Sequence, residues 1–165
     1  MTYATPQDLV EMYGAREMAA ISRPDSIRTR VTDDLLQQAV AGDDLSAWSS
    51  DEQAAVATCL ARIDRVLADA HRTVNSYLVN RYSLPIPTEE VADSPLRSIC
   101  GDIARYFLQD DKATGQTRDR YEAAIQWLRD VAAGRAGLLQ ETVSPSGTSP
   151  GSPMWVAGRR FFERP

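Results

Sequence analysis

Residues Ala54–Tyr82 read AAVATCLARIDRVLADAHRTVNSYLVNRY and run directly into Ser83-Leu84-Pro85-Ile86-Pro87. Val56, Leu60, Ile63, Leu67, Val74, Tyr77 and Leu78 recur in steps of three and four, with Ala70 filling the gap. That spacing keeps the side chains on one face of a helix of 3.6 residues per turn. Arg62, Asp64, Arg65, Asp69 and Arg72 fall on the other face. A helix over the whole stretch is roughly 40 Å long at 1.5 Å per residue, so it is the spine on which shorter helices dock. Pro85 biases Leu84 away from helical dihedrals and has no N–H to donate, and Pro87 repeats the effect. Leu84, Pro85, Ile86 and Pro87 are therefore expected to form an extended apolar strap, available to hold a neighbouring subunit.

On either side of the spine the same periodicity returns. Thr5-Pro6-Gln7-Asp8 is a capped helix start, with Leu9, Val10, Met12 and Tyr13 as its apolar side and Gly14 as its end. Ala15 to Ile21 adds a short second helix. Residues 28–50 are hardest to place: Thr32-Asp33-Asp34-Leu35 opens a short helix closed by Gly42, Trp48 pins the loop that follows, and the whole stretch has the character of an insertion. Ser50 and Gln53, three apart, are expected to form the capping box of the spine. Beyond the strap, Ser94 caps and Pro95 opens a helix with Leu96, Ile99, Cys100, Ile103, Phe107 and Leu108 in one stripe. A last helix starts near Thr117, carries Tyr121, Ala124, Ile125, Leu128 and Ala132, and ends at Gly134. The expected fold is all-α: a small helical bundle around one long helix, with an extended C-terminal tail.

From Glu141 the composition changes. Ser144 to Pro153 holds no apolar side chain other than proline and has the make-up of a flexible linker. Met154, Trp155, Val156, Arg159, Arg160, Phe161 and Phe162 follow it. Aromatic and arginine side chains are the usual anchors of protein interfaces. The chain thus divides into a helical domain over 1–140 and a linker with an aromatic, basic tail over 141–165. The tail is expected to bind a partner or to add a strand to a neighbouring subunit; the alternative is that it packs back on its own domain.

Composition excludes more than it assigns. Hydrophobic residues make up 43% of the chain, enough for a core, yet no apolar run reaches the length of a membrane span. The N-terminus lacks a signal-peptide pattern, so a cytosolic protein is expected. The net charge is −5; Arg159, Arg160 and Arg164 against Glu163 make the tail basic and the body more acidic still. An acidic body argues against general nucleic-acid binding. Cys59, Cys100 and the single His71 lack the clustering of a zinc site; His71 reads as a surface helix residue. Asp33-Asp34, Asp43-Asp44 and Asp110-Asp111 sit at element ends, where capping explains them. No phosphate-binding glycine loop and no nucleophile motif is present. No catalytic residue, metal or cofactor is expected, and the chain is not read as an enzyme.

Several segments together carry a resemblance. Met1 to Val10, Ile63-Asp64, Val74 to Pro87, Cys100 to Tyr106 and Arg120 to Gly134 resemble, in order, a family of Mu-like phage and prophage neck proteins. The likeness covers roughly residues 2–22 and 54–139, and it leaves residues 28–50 and the tail uncovered. It implies a head–tail connector, or head-completion adaptor: a virion structural protein of the neck that forms a ring of twelve copies below the portal. The implied partners are the portal protein, a tail-side neck or terminator protein, other copies of the chain, and genomic DNA passing through the channel without sequence-specific binding. No membrane partner is implied. The alternative is a phage-encoded DNA-binding or regulatory helical bundle, which calls for basic residues clustered on one short helix.

Overall fold

The computed structural model of the chain describes residues 2–92 and 94–138. Seven α-helices and one short 3-10 turn follow one another, with no strand among the described residues, so the fold is all-α. Helix α1 (Pro6–Tyr13) starts on a complete capping box: the Asp8 N–H donates to Thr5 Oγ1 at 3.2 Å and the Thr5 N–H to the Asp8 carboxylate at 2.7 Å. That arrangement satisfies two N-terminal donors reciprocally. Gly14 ends α1, and α2 (Ala15–Ser22) follows at once. Helix α3 (Asp33–Ala41) is capped by Thr32 and stops at Gly42.

The spine is α4 (Ser50–Leu78), 29 residues long. Its capping box is one residue earlier than expected, on Ser49 and Glu52: the Ser49 N–H donates to the Glu52 carboxylate at 3.0 Å and the Glu52 N–H to Ser49 Oγ at 3.4 Å. Ser49 has the extended backbone that a cap requires, φ −63° and ψ 156°. Ala55, Val56, Cys59, Ile63, Val66, Leu67, Ala70, Val74 and Leu78 form its buried face. Helix α5 (Thr88–Ala92) is a single short turn after the prolines. Helix α6 (Leu96–Gln109) begins just after Ser94, whose Oγ accepts the Leu96 N–H at 3.3 Å. A 3-10 turn (Asp110–Lys112) leads to α7 (Gly115–Ala132), which starts two residues before the expected Thr117, on a Thr114 cap.

Helices α4, α6 and α7 pack on one another as the central unit, while α1 and α2 are layered against α4 and α6 and α3 against α4. Residues 28–50 are built into this body. Val31, Leu35 and Leu36 are buried in the common core. The loop after α3 is tied down as well: Trp48 Nε1 donates to Gln38 Oε1 at 2.9 Å, and the Gln53 amide donates to the carbonyls of Leu45 and Trp48 at 3.0 and 2.8 Å. Trp48 thus pins its loop.

One close approach brings α1 and α6 together. A methyl group on Gly101 of α6 would stand 2.5 Å from Met12 Cε of α1, so glycine lets the two helices touch. The same seam holds polar links. Tyr13 Oη donates to the Asp102 carboxylate at 2.9 Å, Arg105 lies over the Tyr13 ring and pairs with Glu17 at 2.6 Å, and Arg97 pairs with Asp8 and Glu11. Burial and the Asp102 carboxylate push the Tyr13 hydroxyl well above the usual phenol range.

His71 is not a free surface residue. It is half-buried, and its Nε2 accepts the backbone N–H groups of Tyr3 and Ala4 at 3.2 and 3.3 Å. The Tyr3 ring stands edge-on to the imidazole and its hydroxyl bonds Asn75. The reason lies in tertiary structure: the N-terminal arm, 67 residues away in sequence, folds across this face of α4.

Candidate docking site

Helix α4 stops four residues short of Tyr82 because Arg81 and Tyr82 turn back, both donating their N–H groups to the Leu78 carbonyl at 2.9 and 3.0 Å. The strap that follows is not extended. The Leu84–Pro85 peptide is cis, and the chain bends at both residues. Leu84 is half-buried, Pro85 and Pro87 are exposed, and Ile86 is only 2% exposed, packed in the core of its own chain. Ile86 therefore serves the fold. Outward contact from this strap falls to the two prolines, with Val79, 58% exposed, on the turn before them.

The end of α7 comes to the same place. Its terminus is a Schellman motif: the Gly134 N–H donates to the Val131 carbonyl at 3.0 Å and the Arg135 N–H to the Asp130 carbonyl at 2.8 Å. Gly134 takes φ +78°, which L side chains avoid, and a Cβ there would run into the Arg81 guanidinium. Arg81 itself donates to the Val131 carbonyl at 3.1 Å. Asp130 holds Arg135 through its side chain at 2.5 Å. The Leu138 N–H then donates to Tyr82 Oη at 3.3 Å, and Leu138 is buried. Arg81, Tyr82 and Glu90 from the strap side and residues 134–138 line one open cleft of about 520 Å³. The flanks of the strap and the root of the C-terminal segment are thus fixed together at one end of the long helix.

The tail residues Met154, Trp155, Val156, Arg159, Arg160, Phe161 and Phe162 lie outside the described residues. A second surface was not singled out from the sequence as a site. Tyr106 of α6 and Tyr121 of α7 stack with ring centroids 4.1 Å apart and planes within 13°. Phe107 leans on both, at 6.3 and 6.2 Å. All three are half-buried at the surface. Burial pushes the Tyr121 hydroxyl up, and the neighbouring Tyr106 and Tyr77 add to this. Phe107 also borders a shallow groove of about 530 Å³ with Asp69, Arg72, Thr73 and Ser76 of α4. Tyr121 borders another, of about 610 Å³, along α7 with Asp119, Glu122 and Arg129. The sequence signal for this surface was the Tyr106-Phe107 pair: two adjacent aromatics on a helix cannot both point into one core.

Electrostatically the body is uneven. Between Arg30 and Arg62 stand Asp33, Asp34, Asp43, Asp44, Asp51 and Glu52, with no lysine or arginine. Among the described residues no helix is long and apolar enough to cross a membrane, and no three His, Cys, Asp or Glu side chains gather as a metal cage.

A helical body with its surface aromatics grouped, its N-terminal arm held at His71 and Leu138 held at Tyr82 is an all-α protein in class. Residues 3–156 match the family described as bacteriophage Mu, Gp36, and the chain belongs to that family. It is similar to the Mu-like prophage FluMu protein gp36 of Haemophilus influenzae, 42% identical over 78 residues, 47% of this chain and 53% of that protein. That match spans about half the length of the Haemophilus relative. It is also similar to gene product J of Escherichia phage Mu, 26% identical over 150 residues, 89% of this chain and 85% of that one. The chain is a Mu-like phage protein, as the motifs had implied.

Proposed function

We propose that the chain is a head–tail connector of a Mu-like virion, acting as a structural adaptor without chemistry of its own. Copies form a ring, of twelve subunits, below the portal; the ring extends the DNA channel and offers the surface to which the tail attaches. The neck of the particle is its place, reached after assembly in the host cytoplasm. The observation that supports this best is the shared anchor at the end of α4: Tyr82 beside the strap holds Leu138 at the root of the tail. A rigid body with a fixed exit point is what a subunit needs to present a gripping segment to the portal or to the next copy. The acidic body suits a channel, because like charge keeps genomic DNA moving instead of bound.

Removal of Ser144 to Pro165 tests the reading. The shortened chain should keep the helical circular dichroism of the full chain and lose most of its incorporation into heads. Full incorporation of the shortened chain would remove the tail from the mechanism. Electron microscopy of the full chain with its portal reads the ring directly.

A further inference from the structure

We infer that the aromatic surface of Tyr106, Phe107 and Tyr121 is the seat for the Met154–Phe162 segment of a neighbouring copy. This deepens the connector reading and rests on it. Three observations converge on that occupant. The surface is apolar and stacked, with Tyr106 and Tyr121 at 4.1 Å, and it lies between two shallow grooves. The segment brings Trp155, Phe161 and Phe162, and aromatic rings pair best with other rings in offset or edge-on geometry. The charges favour it on balance: Asp119 and Glu122, both exposed, line the α7 groove against the single Arg129, and Arg159 and Arg160 sit between the aromatic residues of the segment.

Reach is sufficient. The root at Leu138 adjoins the end of α7, and Tyr121 lies eleven residues back from Ala132, about 17 Å along the helix axis. Residues 139–153 can span at most roughly 50 Å, while a body of this size is on the order of 37 Å across. The linker is therefore long enough to cross from one body to an adjoining copy. In a closed ring every surface finds one segment, a head-to-tail contact that satisfies all copies equally.

The test uses the full chain carrying photoreactive benzoylphenylalanine in place of Trp155, with ¹⁵N-labelled and unlabelled copies mixed at assembling concentration. Irradiation should join labelled to unlabelled copies, with mass spectrometry placing the link on the peptides of Tyr106, Phe107 or Tyr121. The exposed substitutions Asp119→Lys and Glu122→Lys together should lower that yield by about twofold or more, with helical circular dichroism unchanged. Links confined to one copy, links landing elsewhere, or no links overturn the inference. Rings seen by microscopy without these links would overturn it and leave the connector reading standing; links without rings would do the reverse.

Discussion

His71 joins sequence to stability most directly. Its neutral ring accepts two backbone N–H groups, from Tyr3 and Ala4. Burial lowers its pKa below the ordinary 6.5. The unfolded chain therefore takes up the proton at a higher pH than the native one. The stabilisation from this group is complete above about pH 6.5 and is lost as the pH falls from there through the native value. A thermal melt of the wild-type chain should drop more steeply over that interval than that of His71→Gln, which has no proton to gain. Parallel curves would remove His71 from the acid response. Nothing local in the sequence revealed this contact, because its partners stand 67 and 68 residues away. Gly134, by contrast, was legible as a helix end. Its left-handed φ and the Arg81 guanidinium beside it predict that Gly134→Ala costs about 1–2 kcal/mol, read from the urea midpoint. Loosening the Tyr82–Leu138 anchor should accompany it.

At the scale of elements, the stripes located α1, α4, α6 and α7 in the sequence because each has one buried face over several turns. Their ends were less legible. Ser49-Ser50 and Glu52-Gln53 are two doublets, and either pair satisfies the spacing of a capping box; backbone dihedrals at Ser49 decide between them. Helix α5 escaped notice because five residues between prolines carry no period. The strap shows the opposite problem. Its prolines marked a helix end correctly, yet an apolar strap reads the same whether it faces a neighbour or its own core, and Ile86 faces the core. Ile86→Ala should therefore destabilise the isolated chain by about 2–5 kcal/mol. Val79→Ala, on an exposed side chain of the adjoining turn, should stay within about 0.5 kcal/mol. Chemical denaturation of the two variants side by side checks both, and equal midpoints would show that the strap is not part of the core.

For the whole molecule, the central unit of α4, α6 and α7 fixes where every surface lies. The aromatic surface sits on α6 and α7, and the chain leaves toward its tail from the shared end of α4 and α7. The sequence showed that a tail with anchoring residues exists; where such a tail lands was not legible, because a landing surface is assembled from side chains on separate helices. One further property belongs to the packed body as a unit. Cys59 of α4 and Cys100 of α6 are both fully buried and free. Burial pushes both thiols up, that of Cys100 to about 12. Neither can meet a maleimide or an aromatic disulfide reagent until the helices separate. The native chain should be silent to such reagents for as long as it stays folded, and modification should follow the opening reaction, rising with urea along the same curve as the loss of helicity. Two residues that do nothing in the proposed assembly thus give every particle an internal gauge of whether its subunits have come apart from within. They also leave the surface clear for a reporter placed at Val79, with no native thiol to compete for the label.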